Sequence, residues 1–284
     1  METKTTEHNN PPRVRSPIRS KTQTPSTSLK APLFYSPNIT YHIEEYQNST
    51  YNAYMEDITL AIPNYTNKKS RNLFAVFDGH GGTTSAEICK EQIPHILHKC
   101  LKDNPINIEQ NFKTTFKKID DKTVHCTSLG NTATVVFIEN NFIYCGNVGD
   151  SKCLLISVDS YTQLSYDDKC SDANEMKRIQ KEGGVVDEDE RLNGILAVSR
   201  AIGDHDLKHK GLSAVPHFNK KMLTTKDKFC VIASDGIWDE VSNDKAFDIA
   251  KECDNAKTYA KKLMDTAIAN GSSDNISVIV IKLQ

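Results

Sequence analysis

Apolar residues along this chain fall into two rhythms, short unbroken runs and spaced stripes. Leu73 to Phe77 is an unbroken run and predicts a buried strand, which empties into the turn composition Asp78-Gly79-His80-Gly81-Gly82. Thr132 to Ile138, then Asn140-Asn141, then Phe142 to Cys145 predict an antiparallel hairpin from their β-branched and aromatic content and central turn residues. Val148-Gly149-Asp150-Ser151 turns into another run, Cys153 to Ile156, and Phe229 to Ala233 ends on Ser234-Asp235-Gly236. Ile58 to Ile62 is a further apolar step, and Ile276 to Ile281 a further strand after Ser273-Asp274-Asn275. The stripes predict helices. One spans Thr83 to Lys102 with Pro94 as an expected kink, a second carries Ile108, Phe112, Phe116 and Ile119, and a third carries Ala260, Leu263, Met264, Ala267 and Ile268 before Asn270-Gly271 stops it.

Up to about Lys30 large apolar residues are almost missing, so residues 1–33 are expected to be a disordered, basic Ser/Thr/Pro-rich tail and residues 34–284 one catalytic-sized domain. The basic stretch Arg13 to Pro17 reads as solvated charge. A net charge of -2 does not provide the broad positive field of a nucleic-acid binder, so a protein or small-molecule substrate is expected. Eight cysteines without a C-x-x-C pair read as buried, reduced thiols. The first residues lack a signal peptide, position 2 is not glycine, and no apolar run approaches membrane-spanning length. These features place the expected protein in the cytoplasm, with the nucleus also compatible, and with no membrane partner.

Acidic turns at Asp78, Asp150, Asp235 and Asp274 each sit beside an apolar strand, and Glu56-Asp57 precedes another. Strand ends converge in space, and hard divalent cations take carboxylate and carbonyl oxygens plus water. A single acidic turn is ordinary, the two Asp-Gly steps included; four acidic turns in this arrangement suggest a metal centre.

The chain resembles the type 2C metal-dependent protein phosphatases from about Tyr51 to Lys282, through MED (55–57), FAVFDGHGG (74–82), GNTATVVFI (130–138), NVGDSK (147–152), GILAVSRAIGD (194–204), VIASDGIWDEVS (231–242) and SSDNISVIVI (272–281). The resemblance implies an α+β fold of four layers (αββα), two antiparallel sheets face to face with helices on both outer sides. It implies two Mg²⁺ or Mn²⁺ ions, with Asp78 bridging, the Gly79 carbonyl on the first ion, Asp235 and Asp274 on the second, and Glu56 and Asp57 holding coordinated water. Asp150 and Asp239 resemble ligands of a third, weaker ion, and His80 resembles the general acid. The implied reaction is hydrolysis of phosphoserine and phosphothreonine in protein substrates by a metal-bridged hydroxide, without a phosphoenzyme, in a monomeric enzyme. Thr132, Arg200 and Asp204 are read as structural, as are His95, His98, His205 and His217. Gly183-Gly184 to Gly194 resembles the flap beside the site, made acidic here by Asp187 to Glu190.

Two departures matter. Asn52 stands where the family carries a phosphate-binding arginine, which opens the alternative of a weakly active pseudophosphatase that binds phosphoproteins. Arg71 is a candidate substitute, against the plainer reading of a solvated charge flanking a strand. The family's Asp-His-Lys-Pro stretch is Asp167-Asp168-Lys169-Cys170 here, a change expected to touch no metal ligand.

Overall fold

The computed structural model describes residues 1–3 and 37–284, so the tail expected over residues 1–33 lies almost wholly outside the described residues. In chain order the strands and helices are β1 (Thr40–Tyr46), β2 (Ile58–Ile62), β3 (Arg71–Phe77), β4 (Gly79–His80), α1 (Thr84–Asp103), α2 (Ile108–Lys122) and β5 (Gly130–Asn131). They continue with β6 (Ala133–Glu139), β7 (Phe142–Val148), β8 (Lys152–Ser157), β9 (Tyr161–Gln163), α3 (Ala173–Lys181), β10 (Ile202–Gly203) and α4 (His205–Lys208). The last are β11 (His217–Met222), β12 (Asp227–Ala233), α5 (Asp235–Trp238), α6 (Asn243–Lys251), α7 (Ala256–Asn270) and β13 (Ile276–Lys282).

The period-two geometry of the strands builds the layers. In one five-stranded sheet, ordered β11-β7-β6-β3-β2, Leu73, Ala75 and Phe77 point to one face and Phe74 and Val76 to the other. In the second, ordered β1-β13-β12-β8-β9, Phe229, Val231 and Ala233 alternate in the same way with Cys230 and Ile232. The inner faces meet in a core of Phe74, Val136, Ile138, Leu155, Ile232 and Ile279. Helices α1 and α2 cover the outer face of the first sheet through Ile93, Leu97, Phe112 and Phe116. Helices α6 and α7 cover the second through Ile249, Tyr259 and Leu263. This is the expected four-layer α+β sandwich, and its strands pair antiparallel throughout.

The sequence pattern alone did not indicate β1, whose one apolar aliphatic residue, Ile43, reaches the core from an edge strand paired with β13. Helix α1 runs unbroken through Pro94, and the Pro94 carbonyl accepts a hydrogen bond from the Tyr65 hydroxyl. All eight cysteines are buried and free of disulfides. Among the described residues no helix is long and apolar enough to cross a membrane.

Candidate active site

The sheet ends meet at a cleft of about 620 Å³ whose walls include Glu56, Asp78, Gly79, His80, Asp150 and Asp235. Asp78 leaves β3 with its backbone pinned on both sides by one residue. Its N–H donates to Thr132 Oγ1 at 3.3 Å and its carbonyl accepts from the Thr132 N–H at 2.9 Å. Gly79 is forced by contact, because a Cβ there would overlap the Glu56 carbonyl oxygen. The 47–56 segment is in turn fastened by Asn275, whose Oδ1 accepts from the Glu56 N–H at 2.8 Å while its Nδ2 donates to the Gln47 carbonyl at 2.7 Å. Asp235 opens α5 where β12 ends, and Ser234 beside it donates to Asp57 Oδ2 at 2.7 Å.

Carboxylate oxygens of Asp78, Asp150 and Asp235 all lie within 4.8 Å of one another. Such crowding resists ionisation. Burial, then the charges of Asp235, Asp57, Asp150 and Asp274, push the Asp78 carboxyl well above the usual carboxylate range. Burial and then Asp150, Asp274 and Asp239 push Asp235 up to about 8. Burial raises Asp57 to about 6 against the hydrogen bonds of Ser234 and Ser277, and burial also raises Asp239. A set of oxygen donors that repel one another in this way fits hard divalent cations, whose charge would relieve the repulsion.

A three-stranded ribbon, ordered β10-β5-β4, brings the next pair together. His80 lies on β4, Asp204 follows β10, and between them Gly130 on β5 has no side chain to intervene. His80 Nε2 lies 2.7 Å from Asp204 Oδ2. Asp204 sits at φ 49° with its N–H on the Leu129 carbonyl, so backbone geometry holds it against the imidazole. Asp204, read from sequence as structural, therefore touches the expected general acid. The only local sign of this was one more Gly-Asp step after an apolar residue.

Other expectations need correction. Arg71 sits at the end of β3 remote from Asp78 and pairs with Glu139 at 2.5 Å, so it neither reaches the cleft nor stands as a solvated charge. Lys169, in the altered Asp167 to Cys170 stretch, forms an ion pair with Asp150 and so does touch an expected ligand of the third ion. Asp168 next to it is held by the Gly149 N–H at 2.9 Å and by Arg200 at 3.5 Å, and His217 Nε2 lies 2.9 Å from its Oδ1. Asn52 is not among the cleft walls, and its amide donates to the Ser273 carbonyl at 2.8 Å. Leu192 of the flap packs with Ile179, Leu207 and Leu212, and the flap's base is clasped by Glu175, which accepts from Arg178 and Arg200 at 2.6 Å each. Arg191 of the flap and Lys210 after α4 line the cleft; neither was singled out from sequence.

The family model described as protein phosphatase 2C matches residues 41–276. The chain belongs to the protein phosphatase 2C family. It is similar to protein phosphatase 2C homolog 1 of Saccharomyces cerevisiae, with 30% identity over 269 residues, 87% of this chain and 95% of that protein. It is 36% identical over 227 residues to probable protein phosphatase 2C 56 of Oryza sativa subsp. japonica, covering 76% of this chain and 63% of that protein. The chain thus spans less than two thirds of this rice type 2C relative and nearly all of the yeast one. The crystal structure of a serine-threonine phosphatase 2C from Toxoplasma gondii superposes with a TM-score of 0.75 over 87% of this chain and 95% of that one, at 20% identity, a likeness of fold.

Proposed function

We propose that this chain hydrolyses phosphoserine and phosphothreonine in proteins with two Mg²⁺ or Mn²⁺ ions, by direct attack of water on phosphorus and without a phosphoenzyme. The observation that carries the reading is the convergence of Asp78, Asp150 and Asp235 within 4.8 Å beside the His80–Asp204 pair. Asp78, the Gly79 carbonyl, Asp235 and Asp274 would hold the two ions, Glu56 and Asp57 the water around them, and Asp150 with Asp239 a weaker third ion. The bound ions supply charge balance and acidify water for attack. His80 holds a proton at Nε2 or Nδ1 for the seryl or threonyl oxygen as it leaves, and Asp204 fixes the ring's orientation. Thr132 keeps the Asp78 carboxylate directed at the cleft by gripping its backbone.

The experiment is hydrolysis of a phosphothreonine peptide with Mn²⁺, with chelator, and with Asp78→Ala. Metal-dependent turnover that Asp78→Ala abolishes supports the reading; a parent protein inert at high Mn²⁺ defeats it. One observation favours a second reading, a phosphoprotein-binding pseudophosphatase: Asn52 brings no charge and its amide is already committed to Ser273. Retention of the phosphopeptide without its hydrolysis would select that alternative.

A further inference from the structure

The cleft is short of positive charge where its substrate needs it. A phosphate monoester carries about -1.5 to -2 near neutral pH. The walls that would receive it include Glu56, Asp78, Asp150, Asp204, Asp235 and Asp274. Among the described residues, the lysine and arginine side chains lining the cleft are Arg191 and Lys210. Both are exposed, and among the described residues neither has a carboxylate partner. Lys169, also near the acidic cluster, is taken by Asp150.

The backbone beneath these two cations is held firmly. The Lys210 carbonyl accepts from Asn193 Nδ2 at 3.1 Å, and the Lys210 N–H donates to the Leu207 carbonyl at 2.9 Å. Gly184 packs so close to the Lys210 carbonyl that a side chain there would overlap it. Arg178 Nη1 donates to the Gly211 carbonyl at 2.8 Å. The Arg191 N–H donates to Asp187 Oδ1 at 2.8 Å, and its Nη1 donates to the Ile195 carbonyl at 2.9 Å. Among the described residues, that leaves Nε and Nη2 of Arg191 and the whole ammonium of Lys210 without an acceptor. Asp187, part of the acidic run, thus serves as the turn that presents Arg191.

We propose that Lys210 and Arg191 bind the phosphate of the substrate from the flap side, doing here what an arginine at position 52 would otherwise do. The inference rests on the phosphatase reading for its ligand, and it makes the flap a phosphate-binding wall. A lysine supplies a point charge and the arginine a directed fork, so the pair suits a tetrahedral dianion.

The test measures affinity and turnover separately, using a fluorescent phosphothreonine peptide and the full chain loaded with Mn²⁺. Lys210→Ala and Arg191→Gln are each expected to weaken peptide binding about threefold and together about tenfold, the loss of a charge-assisted contact. Lys210→Arg should bind like the parent, and Lys122→Ala on α2, a charge outside the cleft, should change nothing. The concentration of Mn²⁺ needed for half activation should stay constant, since neither residue is a metal ligand. Parent-like affinity in the double variant overturns the proposal, as does an equal loss in Lys122→Ala. A parent that binds the peptide but does not hydrolyse it defeats the phosphatase reading alone, and the affinity shifts still decide the role of the two cations. A parent that neither binds nor hydrolyses it defeats both.

Discussion

His80 and Asp204 stand 124 positions apart in the chain, yet Nε2 of the first lies 2.7 Å from Oδ2 of the second across the bare backbone of Gly130. An imidazole held this way presents one fixed edge to the cleft.

Asp204→Asn is expected to lower kcat about a hundredfold, the lower end of what general acid catalysis contributes. Asparagine tolerates the φ of 49° at this position, so the fold should survive. The deciding measurement compares substrates: the loss should be large on a phosphothreonine peptide and small on an aryl phosphate, whose leaving group needs no proton, while Mn²⁺ activation is unchanged. An equal loss on both substrates would remove Asp204 from the proton-transfer machinery.

Gly130→Ala should impair activity far more than stability. Its Cβ would overlap both the Asp204 carboxylate and His80 Nε2, whose displacement by about an ångström costs about a hundredfold in rate. Calorimetry should show a melting temperature close to that of the parent. Full activity in this variant would mean that the close pairing of His80 and Asp204 is dispensable.

The flap clasp predicts an acid-labile contribution. Burial alone would raise the Glu175 carboxyl, but hydrogen bonds from Arg200, Arg178 and Ser199 hold it down at about 2. A depressed carboxylate stabilises the fold above its usual value of 4.5, and that stabilisation disappears as pH falls from there towards 2. Glu175→Gln should cost about 1–3 kcal/mol near neutral pH by removing the charge that Arg200 and Arg178 share, while Asp168 and Glu182 remain beside them. The cost should shrink below pH about 4, which denaturant titrations at several pH values would read.

Chelation should matter more at alkaline pH. The Asp235 carboxyl is raised to about 8 and Asp57 to about 6, so without ions their contribution to stability is full below 3.8 and is lost as pH rises through those values. Added Mn²⁺ binds the ionised carboxylates of the fold and should raise stability by about 2.7 kcal/mol at a hundredfold excess over its Kd. The gap in melting temperature between Mn²⁺-loaded and chelated protein should therefore widen from pH about 5.5 to pH about 8.5. A gap that narrows would contradict the placement of ions among these carboxylates.

The layers of the fold were legible in the chain because their causes are local. Runs such as Leu73 to Phe77 and Phe229 to Ala233 are apolar on both faces, as strands buried between a sheet and a helix layer must be. The stripe of Ile108, Phe112, Phe116 and Ile119 marks the buried side of α2. Aspartates at strand ends were visible for the same reason, since a strand and the turn that ends it are contiguous. What the side chains meet was a different matter. Arg71 looked available to the site until antiparallel pairing placed it beside Glu139, and Lys169 looked remote from any ligand until a loop brought it to Asp150. Asp204 could be assigned to His80 only through a ribbon of three two-residue strands, each too short to leave a periodic signal. The sequence by itself determined the long apolar strands, the helices α1, α2 and α7, and the carboxylates that end those strands, because burial and turn chemistry act over a few neighbouring residues. Only the tertiary structure decided which charges are already paired and which, like Arg191 and Lys210, face the cleft, because ion pairing depends on distances that chain separation does not encode.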